Sequence, residues 1–106
     1  MRIPIYGIYA ILIGEKYYIG MSKNIFTRWQ SHYTLMVIGK HHSPELQFEF
    51  NKVGILGVKF YILYKVNTKG KSKSNVSLEL RNKEKEIMGL FSKYNSLNKN
   101  KKYFKT

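Results

Sequence analysis

Two runs of strand-forming residues on either side of a Gly-Glu pair in the first twenty residues predict a β-hairpin. Strand-forming residues fill 3–13 and 16–20, and Gly14-Glu15 between them is a Gly-X pair that suits a two-residue type II′ turn. In this register Tyr18 faces Ile11, so that Tyr9 and Tyr18 lie diagonally on the same face. A three-residue loop is the alternative, and it would turn every side chain of one strand to the opposite face.

Two helices are predicted after the hairpin. Apolar residues recur at helical spacing in 24–37, and a second, shorter helix is indicated between 43 and 54. The terminal signals are Ser22 or Asn24 as N-cap of the first helix, and for the second Ser43 as N-cap, Pro44 at its first position, Glu45 in its first turn and Gly54 as terminator.

The second half of the chain predicts one more strand and one more helix. Residues 58–66 are almost continuously apolar and favour a central strand. Residues 67–75 have the composition of a basic loop, and 76–94 return to helical spacing. The predicted order is β-β-α-α-β-α, an α+β fold with a small three-stranded, mainly antiparallel sheet flanked by helices.

The charge of the chain indicates a polyanionic partner. The 106 residues carry 19 Lys or Arg against six acidic residues, a formal net charge of +13. Residues 65–106 contribute 12 of the basic residues against three Glu. Such a charge favours nucleic acid, with the C-terminal part as the surface that follows the phosphates.

Several classes of protein are excluded by composition. The chain has no Cys, which excludes disulfides, thiol catalysis and Cys-ligated zinc. No apolar run approaches the roughly 18 residues of a membrane span, and no signal-peptide core is present, so we expect a protein of the cytoplasm without a membrane partner. The chain also has no Asp, which argues against the carboxylate-rich sites of two-metal nucleases.

A few polar residues occupy positions that suggest chemistry. Glu84 is in line with the apolar residues Leu80, Ile87, Met88 and Phe91 of the last predicted helix, where a carboxylate needs a cation or hydrogen-bond donors. Arg28 and His32 are four residues apart and share one face of the first helix. His41 and His42 are adjacent in a loop, which is poor spacing for one zinc ion.

Together these residues resemble the GIY-YIG nuclease family. The matching elements are "GIY" at 7–9, "YIG" at 18–20, "RWQSH" at 28–32, the Glu84 helix and "YN" at 94–95, in the family's order. Within the family, "HHSPELQFEFNKVG" is most similar to the catalytic domains of phage and intron homing endonucleases. The resemblance covers residues 5–98, so we expect a nuclease domain in 1–98 and a basic tail in 99–106.

The resemblance implies a DNA endonuclease with one active site per chain that cuts one strand at a time. Tyr9 would activate, or help to activate, the attacking water, and Tyr18 would contact the scissile phosphate or the water. Arg28 would stabilise the transition state. His32 would share proton transfer with Tyr9. Glu84 would be the only protein ligand of one Mg²⁺ or Mn²⁺ ion.

Two implied positions have rivals. His41 matches a further active-site histidine, with His42 as its competitor, and Asn95 matches a late asparagine that orients the site, with Asn98 as its rival. Homing enzymes carry a separate DNA-recognition region, which leaves open a missing domain, a homodimer or a free-standing nuclease. A repair, junction or restriction nuclease and a non-catalytic nucleic-acid-binding module are the alternative functions.

Overall fold

A hairpin at the start of the chain forms the centre and one edge of the sheet. A computed structural model of the protein describes residues 4–91. Strands β1 (Gly7–Ile13) and β2 (Lys16–Ser22) pair antiparallel, with Ile13 opposite Lys16. Gly14 has φ 61°, and no described residue other than glycine has positive φ, which fits a type II′ turn and excludes type I′. The predicted two-residue register is confirmed.

Three helices and a third strand complete the fold. They are α1 (Ile25–Val37), α2 (Pro44–Val53), a short 3₁₀ turn (Ile55–Gly57), β3 (Val58–Lys65) and α3 (Lys73–Leu90). Asn24, rather than Ser22, caps α1, because its side chain accepts a hydrogen bond from the backbone of Thr27. Ser43, Pro44 and Gly54 delimit α2 as predicted. The predicted α+β class and element order are confirmed.

The prediction that the third strand is central is wrong. The strand order is β2-β1-β3 with all pairs antiparallel, so β1 is central and β3 is an edge strand. The side chains of β1 are almost all buried, whereas those of β3 alternate between half-buried and exposed. Continuous apolarity in β3 includes Tyr61 and Leu63, which face solvent beyond the area that α3 covers.

The last helix also begins earlier than predicted. Residues 73–75 were expected in the basic loop, but α3 starts at Lys73 because the Ser72 hydroxyl accepts a hydrogen bond from the backbone N–H of Asn75. Three polar residues precede the first apolar one, so the apolar spacing alone does not reveal this first turn.

The sheet has a core on each face. Helix α3 packs on one face, and α1 and α2 pack on the other, so the molecule has three layers. The α3 face buries Ile8, Ala10, Tyr17 and Ile19 against Val76, Leu80 and Met88. The opposite face buries Tyr9, Ile11 and Ile13 with Ile25, Met36 and Leu46. Within residues 4–91, no helix has the length and apolarity required to cross a membrane.

Candidate active site

The side chain of Tyr9 crosses the neighbouring strand to reach the edge of the sheet. Tyr9 lies opposite Gly20 in the register of β1 and β2. A Cβ atom on Gly20 would lie 2.4 Å from both Cζ and Oη of the Tyr9 ring, closer than any real contact. Gly20 is therefore the residue that lets the Tyr9 ring pass over β2, and the ring is almost completely buried there.

A chain of hydrogen bonds leads from Tyr9 into the loop before α2. The Tyr9 hydroxyl is 2.8 Å from Nε2 of His32, and Nδ1 of His32 is 2.7 Å from Nε2 of His41. Nδ1 of His41 accepts a hydrogen bond from the backbone N–H of Ser43 at 3.0 Å. All three side chains are buried.

The backbone amide of Ser43 determines where the protons of this chain lie. Because Nδ1 of His41 accepts, a neutral His41 carries its proton on Nε2 and donates it to Nδ1 of His32. Neutral His32 must then carry its own proton on Nε2 and donate it to the Tyr9 oxygen. The Tyr9 hydroxyl therefore accepts a hydrogen bond from His32, and its own proton is free to be donated to another group.

Burial keeps both histidines neutral. Loss of solvation, followed by the repulsion of His41, Arg28 and His42, lowers the pKa of His32 to about 3. Loss of solvation and the nearby His42 lower the pKa of His41 to about 4. The neutral proton arrangement is thus the one present at neutral pH.

Tyr18, Arg28 and Glu84 surround the same tyrosine. The Tyr18 ring packs edge-on against His32 with 5.4 Å between ring centroids. Burial raises the pKa of Tyr9 and of Tyr18, the charge of Arg28 lowers both, and the charge of Glu84 raises both. Arg28 also lowers the pKa of Tyr9 through a hydrogen bond. The guanidinium and the carboxylate therefore act on the two phenols at close range, one from α1 and the other from α3.

Glu84 is buried without a partner in the described part of the chain. Only 8% of its surface is exposed, on the stripe of α3 that also carries Val76, Leu80 and Met88. No hydrogen bond or ion pair within residues 4–91 reaches its carboxylate, and burial raises its pKa. The prediction that Glu84 faces the core is confirmed, and no cation within residues 4–91 meets its carboxylate.

The residues present fit a metal ion with one protein ligand. An unmatched carboxylate supplies the oxygen ligand that Mg²⁺ prefers, and such an ion usually keeps several waters or phosphate oxygens. Both ring nitrogens of His32 and of His41 already form hydrogen bonds. Within the described residues there is no group of three or more His or acidic side chains that could hold an ion by themselves. Glu84 is thus the carboxylate of this site, and its oxygens meet no donor or cation within residues 4–91.

Comparison with solved structures gives two similar chains. A Glu-to-Ala variant of the catalytic domain of the intron endonuclease I-TevI superposes with a TM-score of 0.71 and 28% identity, over 89% of this chain and 92% of that one. The catalytic domain of the homing endonuclease I-TevI gives a TM-score of 0.70 at 23% identity, over 88% and 98% of the two chains. This chain has the fold of a homing endonuclease catalytic domain. Comparison of the sequence with family models and with curated proteins finds no match.

The homing endonuclease fold confirms the resemblance to GIY-YIG nucleases and supports nuclease activity in general. Within this fold the structure brings six of the predicted site residues together, namely Tyr9, Tyr18, Arg28, His32, His41 and Glu84. His42, the rival of His41, stacks on the His41 ring at 4.4 Å between centroids but is exposed. Asn95 and its rival Asn98 lie outside the described residues.

Three supporting residues of this nuclease fold were not predicted. The role of Gly20 could have been found, because the predicted register already places it opposite Tyr9. The Ser43 amide could not, since no side chain marks it. Gln47 accepts a hydrogen bond from the backbone of His41 at 3.0 Å and donates one to the carbonyl of Met36 at 2.9 Å, which holds the histidine loop against α1. The packing of α2 against α1 brings the Gln47 side chain within reach of the Met36 carbonyl.

Proposed function

We propose that this protein is a divalent-metal-dependent endonuclease that hydrolyses DNA phosphodiester bonds, with one active site per chain that cuts one strand at a time. The observation that carries the proposal is the meeting of a buried phenol, a half-buried phenol, a guanidinium and a carboxylate without a partner among residues 4–91, at the β2 edge of the sheet. The net charge of +13 supports a polyphosphate substrate.

Hydrolysis requires a base for the attacking water, positive charge beside the phosphate oxygens, and stabilisation of the negative charge on the leaving oxygen. An attacking water forms a bond to phosphorus while the bond between phosphorus and the sugar oxygen breaks. Arg28, which is exposed at the site, stabilises the negative charge that develops on the phosphate oxygens. A divalent ion held by Glu84 would supply further positive charge to the phosphate and to the leaving oxygen.

Tyr9 is the residue placed to accept the proton of the water. Its phenolate form is stabilised by Arg28 and by the Nε2 proton of His32, whereas burial raises its pKa. The phenolate is therefore the minor form at neutral pH, and we expect the cleavage rate to rise with pH through the neutral range. In this scheme His32 donates a hydrogen bond to Tyr9 and does not take its proton, which differs from the shared proton transfer that the resemblance implies.

A cleavage assay tests the proposal. With Mg²⁺ or Mn²⁺ the purified protein should convert supercoiled plasmid first to nicked circles and only later to linear DNA. Glu84→Gln and Arg28→Lys should be inactive, while Glu49→Gln, the same change at a buried glutamate outside the site, should cleave normally. Intact supercoiled, branched and single-stranded DNA would rule the proposal out, and so would equal cleavage by Glu84→Gln. A preference for branched over linear duplex would instead indicate a junction nuclease.

A further inference from the structure

A basic groove leads away from the candidate active site along α3. It consists of two adjoining cavities of about 380 and 320 Å³ that share Lys23 in the turn between β2 and α1. The first is lined by Met21, Ser22, Lys23, Arg28, Ser77, Leu80 and Arg81. The second adds Tyr6, Thr68, Lys71, Lys73 and Val76. Because Arg28 belongs to both the site and the groove, the two are continuous.

The groove has cations whose charges are not matched. Lys23, Lys73 and Arg81 are exposed, and no ion pair within residues 4–91 reaches them. Lys71 is the exception, because it pairs with Glu79 at 2.6 Å. No carboxylate is among the residues that line either cavity. Such a surface attracts phosphate groups.

At the opposite end of the sheet, by contrast, two lysines are paired with a carboxylate. Near the hairpin turn, Lys16 and Lys52 lie 2.8 Å and 3.4 Å from the carboxylate of Glu49. What distinguishes the groove is that several cations line one concave surface with no carboxylate among its described lining residues.

The length of the groove corresponds to a few nucleotides. Eleven residues of α3 separate Glu84 from Lys73, which is about 16 Å along the helix axis at 1.5 Å per residue. At about 3.4 Å per nucleotide, this distance covers roughly five nucleotides of one strand.

We propose that this groove binds the sugar-phosphate backbone of the DNA strand that is cut, over about four to five nucleotides on one side of the scissile phosphate. The inference rests on the proposed nuclease function. Lys23 and Arg81 contact the phosphates nearest the active site, and Lys73 contacts the far end.

The salt dependence of DNA binding tests this assignment separately from cleavage. Binding is measured on duplex DNA without divalent ions in the Glu84→Gln protein, so that no strand is cut. Adding Lys23→Gln and Arg81→Gln should make the slope of log affinity against log salt shallower by about 1.8, since each lost phosphate contact removes about 0.9. Lys73→Gln alone should remove about 0.9.

The matched control is Lys52→Gln with Lys59→Gln, which removes the same charge from exposed positions near the hairpin end. It should keep the original slope. Equal slopes for the groove and control variants would overturn the assignment. Normal cleavage with no groove effect would refute the groove alone, whereas groove-dependent binding without any cleavage would refute the nuclease function and leave the groove as a DNA-binding site.

A crosslinking experiment covers the case in which the charge variants fold poorly. The chain has no Cys, so Ser77→Cys introduces one thiol into the groove with little change in volume. Ser77 is about 10 Å along α3 from Glu84, and a disulfide-forming tether on the DNA backbone should react about three nucleotides from the cleaved phosphate. Ser31→Cys, on the neutral outer face of α1, should not react. Equal crosslinking of the two positions would also overturn the inference.

Discussion

Glu49 on α2 and Glu84 on α3 are both buried carboxylates, but their surroundings are opposite. Glu49 is 3% exposed and meets Lys16 and Lys52, and its hydrogen bond with Lys16 lowers its pKa. Glu84 is 8% exposed and meets no cation within the described residues, and burial raises its pKa. The protein supplies partners for the first carboxylate, whereas the second meets no partner within residues 4–91.

Under the proposed function, the difference separates a structural carboxylate, Glu49, from a metal-binding one, Glu84. Glu49 joins the hairpin to α2, because its partner Lys16 is the first residue of β2. Glu84 joins no comparable pair of elements within residues 4–91, and its burial costs solvation. Perturbed groups of the second kind are typical of functional sites.

The largest expected effect is that replacing Glu84 abolishes cleavage without loss of stability, whereas replacing Glu49 lowers stability without loss of cleavage. Glu84→Gln should reduce cleavage by at least about 1,000-fold, since it removes the metal ligand and the charge at the reacting phosphate. Without metal its free energy of unfolding at pH 7 should equal or exceed that of the original protein, because an unpaired buried charge is gone.

Glu49→Gln should do the reverse, with a lower free energy of unfolding and undiminished cleavage per folded molecule. Urea denaturation and plasmid nicking on the same preparations check both. A lower free energy of unfolding for Glu84→Gln would show that the Glu84 carboxylate stabilises the fold. The two glutamates would then not differ in the way described.

The second largest effect tests the position of the Tyr9 ring without changing any charged group. Gly20→Ala places a Cβ atom where the Tyr9 ring now lies, 2.4 Å from its Cζ and Oη atoms. The ring must move away from His32, so cleavage should fall by about 100-fold although every charged and titratable group is retained. The control is Gly89→Ala, because a Cβ atom on Gly89 meets nothing within 4 Å. Comparable cleavage by the two variants would show that Tyr9 does not need this position.

A third effect concerns the two buried histidines, which form their hydrogen bonds in the neutral state. Their pKa values in the folded protein, about 3 for His32 and about 4 for His41, lie below the ordinary 6.5. Below pH 6.5 the unfolded chain therefore takes up protons that the folded protein does not. The stability is complete above this pH and declines as the pH falls between pH 7 and pH 5, by about 2 kcal/mol for each histidine and about 4 kcal/mol for the two together.

Urea denaturation across this range should use the Glu84→Gln protein, since the raised pKa of Glu84 acts in the opposite direction. The lowered pKa values of Glu49 and Glu79 lie below 4.5, outside the window. Replacing His32 by Asn should reduce the pH dependence. An unchanged stability between pH 7 and pH 5 would contradict the neutral hydrogen-bond chain.

The smallest effect is stabilisation by the ion itself. Free Mg²⁺ at ten times its dissociation constant should stabilise the original protein by about 1.4 kcal/mol, because the ion binds only the folded state. Thermal unfolding should show the increase for the original protein and for Glu49→Gln, and none for Glu84→Gln. An equal increase in Glu84→Gln would place the ion elsewhere.

Local pattern predicted much of the fold for physical reasons. Gly14-Glu15 restricts the turn to a type that joins two strands directly, and this turn determines the register that puts Tyr9 and Tyr18 on one face. The caps at Ser43 and Gly54 are interactions between near neighbours in the chain, so they are visible in the sequence. The position of β3 was not predictable in this way, because a strand's neighbours depend on which surfaces the helices cover.

The sequence by itself determined the element order, the side of α3 on which Glu84 lies and the residues available for chemistry, since these follow from periodicity and from contacts within a few residues. Only the tertiary structure decided how they act together. It lays the Tyr9 ring over Gly20, sets the Ser43 amide against His41 and thereby directs a proton from His32 to Tyr9. The hydrogen bonds from His32 to Tyr9 and from His41 to His32 join residues that are distant in the chain, and only packing brings their atoms within hydrogen-bonding distance.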